Sequence, residues 1–218
     1  MDSATLDLQQ APGVPGAETA GDAGMELFVA TASVAQRRLW LLDRMQPGSS
    51  AYNVPLAIRL RGPLSAAALA EALAELTARH ETLRTFFDEE DGEPVQVIVP
   101  ELCPDLPEID LSALPAGRAE EEAMRRIRED AARPFDLGRA PLLRSFQFRL
   151  REDEHAVLLN AHHIVTDGWS LGILLRELST LYAACSSGLP APLPDLPEEI
   201  GHRLVREHHA RGSDHLRP

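Results

Sequence analysis

The stretch AVLLNAHHIVTDGWS, residues 156–170, decides the fold of this chain and locates its candidate site. Residues 156–161 are apolar except for one asparagine, and they predict a buried strand. The segment after Ser170 carries apolar residues at helical spacing, so a helix is expected beyond the loop. Two adjacent histidines, a carboxylate four residues after the second, and a glycine therefore lie where a buried strand gives way to a helix.

The pair His162-His163 has the composition of an acid–base site. An imidazole exchanges a proton near neutral pH, and a nearby carboxylate or carbonyl can fix its tautomer and direction. Gly168 permits either a backbone angle or a close approach of a ligand that a Cβ would block. The alternative is that both histidines are structural residues at the end of a strand.

Two upstream segments extend the pattern. The first is SVAQRRLW, residues 33–40, in which Ser33 and Gln36 fit a helix capping box. The second is RHETLRTFF, residues 79–87, with two arginines five positions apart across a predicted helix end and strand start.

These segments resemble the condensation domains of nonribosomal peptide synthetases. Residues 162–168 are similar to the HHxxxDG signature, which chloramphenicol acetyltransferase and other CoA-dependent acyltransferases share, and residues 79–87 resemble the RHExLRTxF motif. The Asn-x-Pro segment at residues 53–55 and the segments 134–137 and 140–144 also look like the family, the last two in an architectural role. Trp169-Ser170 resembles the subgroup that joins two L-configured residues. The resemblance implies an α+β fold, a chloramphenicol acetyltransferase-like lobe with helices packed on a mixed or antiparallel sheet.

The resemblance also implies a chemistry. The α-amine of an acceptor aminoacyl thioester, held on the phosphopantetheine arm of a carrier protein, attacks a donor acyl thioester. His163 is expected to face that amine, either as general base or as a group that positions it and stabilises the intermediate. His162 is expected to pack and orient the loop, and Gly168 to let the arm pass close to the backbone. No metal and no directly bound cofactor are expected, because the arm presents the substrates.

The resemblance also implies residues that support the histidine loop and residues that line the substrate channel. One of Arg79 and Arg84 is expected to form an ion pair with Asp167 that holds the histidine loop in shape, and breaking a buried pair costs about 3–5 kcal/mol. Packing is the stronger interpretation for Trp40. The expected channel residues are Trp169, Ser170, Gln36 and Trp40.

Hydrophobic periodicity predicts the other elements. The first half of the chain predicts a helix from Ser33 with Ala35, Leu39, Leu42 and Met45 on one face, a half-buried strand at 56–61, a helix capped by Ser65 and an acidic hairpin turn at 88–92. A surface loop is expected at 100–117, followed by a helix before Pro134 with Met124, Ile127 and Ala131 facing inward. An amphipathic strand carrying Leu142, Phe146, Phe148 and Leu150 comes next, and a last helix is capped by Ser170.

Composition shifts divide the chain into three parts. Residues 1–26 predict a disordered leader, residues 27–189 the N-terminal lobe of an incomplete condensation domain, and residues 190–218 a Pro-rich, then His- and Arg-rich polar tail unlike the family.

In the family two lobes meet around a channel. The expected partners are therefore a missing C-terminal lobe or neighbouring synthetase modules, and peptidyl or aminoacyl carrier proteins. The tail histidines match no closed metal-ligand spacing. They are His202, His208, His209 and His215.

Three functions remain open at this stage. The chain is part of a condensation enzyme, a stand-alone oligomeric acyltransferase whose site is completed at a subunit interface, or a truncated, non-catalytic relic or carrier-docking module. The motif at residues 79–87 favours the first over the second, and the tail favours a truncation or relic.

The composition excludes other partners. The net charge is −13 and all 21 basic residues are arginine, which argues against a nucleic-acid partner and leaves docking on an acidic carrier to a local arginine patch.

No apolar run approaches a membrane span, and no signal pattern precedes the domain. Cys103 and Cys185 are far apart without metal or redox spacing, so free thiols and a cytoplasmic location are expected.

Overall fold

The computed structural model of the chain describes residues 27–194 and 196, which form two sheets and four α-helices. The predicted leader and the tail histidines lie outside the described residues. None of the described helices is long and apolar enough to cross a membrane. In chain order the elements are β1 (Phe28–Thr31), α1 (Val34–Met45), β2 (Asn53–Arg61), α2 (Ala66–Arg79), a 3-10 helix (Glu81–Arg84), β3 (Thr85–Glu90), β4 (Glu93–Ile98), β5 (Glu108–Asp110), α3 (Ala116–Ala132), β6 (Leu143–Arg151), β7 (Glu154–His162) and α4 (Gly168–Ser187).

The larger sheet is mixed and places β7 in its interior. Its strand order is β2-β7-β6-β5, with β2 and β6 antiparallel to β7 and β5 parallel to β6. Asn53 of β2 pairs with His162 at the end of β7 that carries the candidate site. The predicted α+β fold with helices packed on a mixed sheet is confirmed.

Helices cover both faces of this sheet. On one face α2 and α4 pack against alternate residues of β7, including Val157 and Leu159. On the other face α3 packs through Ala123 and Ile127 against Leu158 of β7. Because successive strand side chains alternate between faces, His162 lies on the same side of β7 as Leu158.

The smaller antiparallel sheet, β1-β4-β3, contains the predicted acidic hairpin. Asp91 and Gly92 have positive φ values of 51° and 84°, as a tight Asp-Gly hairpin turn requires. A third cluster joins α1 and this sheet to the histidine loop. Its buried members are Ala32, Phe87, Leu137, Leu142, Ile164 and Val165.

Two predicted helix faces were wrong in part. In α1, Ala35 is exposed and Met45 is 69% exposed, because the helix rests on the third cluster through a narrow stripe that includes Leu39 and Trp40. In α3, Met124 is 43% exposed, and the small residues Ala119 and Ala123 take the inward positions together with Ile127.

The segment 100–117 is more than a surface loop. It contains the three-residue strand β5, and its neighbours cover the polar side of β6. Gln147 Nε2 donates to the Glu108 carboxylate at 3.0 Å, and Gln147 is only 1% exposed. The predicted amphipathic pattern of β6 is therefore present, but its polar face, with Ser145 and Gln147, is covered by residues 105–108 instead of facing solvent.

Candidate active site at the end of the central strand

Backbone hydrogen bonds at the end of β7 fix both residues of the histidine pair. The His162 N–H donates to Leu142 O at 3.0 Å, and the His163 N–H donates to Tyr52 O at 2.8 Å. The backbone N–H groups of His162 and His163 are thus bonded on opposite sides of β7, to residues next to the starts of β6 and β2.

His162 is an internal residue of this site. It is 2% exposed, and its Nδ1 accepts a hydrogen bond from the Ile164 N–H at 3.2 Å, so a neutral ring carries its proton on Nε2. The rings of Tyr52 and Phe135 contact it edge-on, with centroid distances of 6.2 and 6.1 Å. Burial lowers the pKa of His162 to about 4, with a smaller contribution from the charge of His163. The ring is therefore neutral near pH 7, which suits the predicted packing role.

His163 is the exposed member of the pair. Within the described part of the chain its ring forms no hydrogen bond, whereas its backbone is tied to Tyr52. A fixed backbone with an exposed imidazole is an arrangement in which the ring can act as a general acid or base on a bound ligand.

Asp167 begins α4 and is not a partner of the motif arginines. Its Oδ1 accepts the Ser170 N–H at 2.7 Å, while Ser170 Oγ accepts the Asp167 N–H at 2.8 Å, which together form a capping box. These hydrogen bonds, the backbone bond from Ser170 first, lower the pKa of Asp167. The helix therefore starts at Gly168, and the prediction that Ser170 is its N-cap was wrong by one turn.

The predicted ion pair with Asp167 is not formed by either arginine. Arg79 Nε donates to Glu177 Oε2 of α4 at 2.9 Å and also contacts the Pro194 carbonyl. Arg84 is buried and donates to backbone carbonyls, among them Thr77 O at 3.1 Å. Asp167 is exposed and satisfied by its own helix, so it offers no unpaired buried carboxylate to an arginine.

Sequence reasoning missed Glu177. Its carboxylate accepts a hydrogen bond from Arg79 and lies 2.8 Å from His80 Nε2. Two successive residues of the RHExLRTxF-like segment therefore hold α4 against α2. This clamp fixes the helix whose first turn carries Asp167 and Gly168. No local pattern marks Glu177, because it is one acid on a helix far along the chain.

The predicted channel residues divide into two groups. Gln36 Nε2 donates to Gln96 Oε1 at 2.9 Å and to Ile164 O at 3.4 Å, so it ties α1 to the histidine loop. Trp40 packs on the third cluster, as the packing interpretation holds. Trp169, in contrast, is 81% exposed. Ser170 uses its hydroxyl within the capping box.

Gly168 is not needed for an unusual backbone angle. Its φ lies outside the positive range, and a Cβ built on it would meet nothing within 4 Å. Of the two sequence-based interpretations, the backbone angle was wrong, and the close approach of a ligand stays a prediction.

A cluster of metal-ligating side chains lies at the opposite end of α4. Ligand atoms of Glu71, Glu75 and Cys185 lie within 4.8 Å of one another, and both carboxylates are exposed. Burial, followed by the two carboxylates, raises the pKa of Cys185 and so favours its neutral thiol. The cluster takes no part in the histidine site, and the described cysteines are free.

The condensation domain family matches this chain over residues 28–215, a range that continues past Leu189, where the sequence resemblance was expected to end. The chain therefore belongs to the condensation domain family. It is 47% identical over 165 residues to phosphinothricin tripeptide synthetase PhsC of Streptomyces viridochromogenes, covering 76% of this chain and 15% of that protein. It is also 47% identical over 165 residues to chondramide synthase cmdD of Chondromyces crocatus, covering 76% of this chain and 4% of that protein.

Solved structures agree with this assignment. The first condensation domain of the CDA synthetase superposes with a TM-score of 0.72 at 28% identity, covering 84% of this chain and 46% of that one. The starter condensation domain of rhizomide synthetase RzmA has the same TM-score at 20% identity and supports the fold. The chain thus spans about half the length of the solved condensation domains and a small part of the curated synthetases.

Replacing Glu177 should destabilise the protein strongly. Arg79 and Glu177 have side chains only 18% and 12% exposed, so Glu177→Ala leaves a largely buried guanidinium unpaired, at a cost of about 3–5 kcal/mol. The matched control is Glu121→Ala, whose pair with Arg118 is 69% and 75% exposed and contributes less than about 1 kcal/mol. Urea midpoints measure both, and equal midpoints for the two variants would contradict the clamp.

Two substitutions of Asp167 separate helix capping from an ion pair. Asp167→Ala removes the N-cap acceptor and should cost about 0.5–2 kcal/mol, whereas Asp167→Asn keeps an acceptor oxygen and should change stability little. An ion pair would be lost equally in both. Urea unfolding of the two variants checks this, and a midpoint for the asparagine variant as low as for the alanine variant argues against the cap.

Proposed function

We propose that this chain is the histidine-bearing half of a condensation domain that forms an amide bond between carrier-bound thioesters in nonribosomal peptide synthesis. One observation supports this most directly. In a chain of the condensation domain family, the second histidine of the pair is exposed on a backbone held by two strands, while the first is buried beside it.

The reaction joins the acceptor amine to the donor acyl group. The amine nitrogen attacks the thioester carbonyl, the C–N bond forms, the C–S bond breaks, and the departing sulfur takes a proton. An α-amine has an ordinary pKa of about 8, so a substantial fraction is already deprotonated near neutral pH. His163 then positions the amine and accepts its proton as the bond forms. Orientation alone can contribute several kcal/mol to lowering the barrier.

The substrates reach the site on phosphopantetheine arms of carrier proteins. Gly168 supports this proposal, because the space where its Cβ would stand is open in the described structure. The arm supplies a flexible thioester, and this chain supplies an open backbone at the start of α4 next to the loop that carries His163. Peptidyl or aminoacyl carriers, and the remainder of the domain, are the proposed partners.

The proposed substrates are L-configured, as the resemblance of Trp169-Ser170 to the subgroup that joins two L-configured residues implies, and Trp169 is the proposed contact residue of the pair. Of the Trp169-Ser170 pair, the serine hydroxyl is engaged in the capping box, whereas the indole is 81% exposed beside Gly168. An exposed aromatic ring at this position provides apolar contact area for an acyl or aminoacyl group.

His163→Ala tests the proposed function. The 218-residue chain is combined with the C-terminal half of the matching condensation domain of phosphinothricin tripeptide synthetase, and amide product from two carrier-bound thioesters is measured by mass spectrometry. The variant should lose about 100-fold or more of the rate, since general acid–base groups contribute about 10²–10⁴-fold. Its urea midpoint should be unchanged, because the side chain is exposed.

Two outcomes would count against the proposal. A near-normal rate for His163→Ala would remove the residue from the chemistry. An absence of product from the wild-type chain with that half would favour the relic or carrier-docking alternative.

Gly168→Ala tests whether the glycine serves ligand approach. In the absence of substrate the added Cβ meets nothing, and alanine favours a helix over glycine by up to about 1 kcal/mol, so stability should be equal or higher. The rate of amide formation should fall, with a raised KM for the carrier-bound substrates. Gly172→Ala is the control, because its Cβ also meets nothing and lies further along α4. Equal rates for the two variants would refute the role in ligand approach.

A further inference from the structure

A set of contacts on the α3 side of the sheet ends at the ring of His162. It starts at Arg144 of β6, whose side chain is 13% exposed. The guanidinium donates to Asp130 Oδ1 at 2.8 Å, to Asp130 O at 3.0 Å and to Arg133 O at 2.7 Å. It therefore binds carbonyl groups at the C-terminal end of α3, where Asp130 O also accepts the backbone N–H of the C-cap residue Arg133 at 3.0 Å.

The same guanidinium lies on the ring of Phe135. Arg144 Cζ is 3.8 Å from the ring centroid, which is within the range of a cation–π contact. Phe135 in turn meets the His162 ring edge-on, with an interplanar angle of 73°. Arg144 thus fixes the aromatic side chain that covers one side of His162, while Tyr52 contacts the same ring at 62°.

Three strands hold the end of α3 beside this contact. Asn53 of β2 donates to Ala131 O at 2.7 Å and to Arg133 O at 2.8 Å. Asn160 of β7 donates to Asp130 Oδ2 at 2.8 Å. With Arg144 from β6, every antiparallel strand of the larger sheet contributes one polar side chain. The turn that leads to Phe135 is consequently held by hydrogen bonds from three strands.

We propose that Arg144 and Phe135 form a positioning unit for the histidine pair, which holds the His162 ring and thereby the backbone from which His163 projects. The link is short. His162 Nδ1 accepts the buried Ile164 N–H, so this bond joins the two residues that flank His163. If the His162 ring moves, the Ile164 N–H loses its partner, and the loop that carries His163 loses one of the hydrogen bonds that fix its backbone. The catalytic meaning of this unit rests on the proposed function, but the positioning is a property of the free protein.

The test follows the titration of the His162 ring by NMR in the full chain, with resonances assigned by comparison with His162→Gln. The variants are Phe135→Leu, which keeps every hydrogen bond of Arg144, and Arg144→Gln and Arg144→Lys, which lose the flat guanidinium on the ring. In each, water should reach His162, and its pKa should rise from about 4 towards the ordinary 6.5. The control is Arg149→Gln, on the same strand but 4.0 Å from Asp110 at the surface, which should titrate as the wild type.

A merely structural arginine would lower the urea midpoint without moving this titration. An unchanged His162 titration in folded Phe135→Leu or Arg144→Lys overturns the proposal, and so does an equal shift in Arg149→Gln. If Arg144→Gln does not fold, the other two variants decide. In the amide-formation assay the positioning variants should lose about 10-fold in kcat with little change in KM. A failure of His163 as the acting residue would leave the titration result standing.

Discussion

The burial of β7 on both faces is the constraint on which the site depends. Helices on opposite faces of the sheet pack against alternate residues of the strand, so the side chains of β7 up to His162 are covered. The strand ends where that cover ends, and the next side chain, His163, is exposed. Two chemically identical residues therefore lie in different environments, because burial penalises the charged form of His162 and His163 is exposed to solvent.

The loop after β7 is short and is held by contacts on each side of it. The backbone of the histidines is bonded to the starts of β2 and β6, and α4 begins a few residues later with its own cap at Asp167. The clamp at Glu177 fixes the same helix against α2. The motif arginines thus support the site through the position of a helix and of backbone carbonyls. A direct bond to the signature aspartate is not required for this.

Local features of this fold could be predicted from the sequence, and long-range pairings could not. Strand alternation, the Ser33 and Ser65 caps and the Asp-Gly turn depend on neighbouring residues and were predicted correctly. The partner of Arg79 depended on which of 34 acidic residues the fold brings near, and sequence spacing carries no such information. The three-residue strand β5 was missed because its pairing with β6 is its main reason to be extended. The exposed histidine was identified through the family motif, not through its burial.

The difference between the two histidines also has an electrostatic consequence for a proton transfer. The pKa of His162 is about 4, so its ring is uncharged near neutral pH. In the proposed reaction, a proton accepted by His163 would then not face a second cation on the adjacent residue. Two like charges a few Å apart would oppose each other by about 1–4 kcal/mol near a protein surface. Asp167 is ionised at the start of α4, and its interaction with His163 helps to lower the pKa of that carboxyl. In the proposed reaction, a proton accepted by His163 would therefore have a neutral ring on the preceding residue and a carboxylate at the start of α4. The contact of Phe135 with His162 belongs to the buried surroundings that keep this ring neutral.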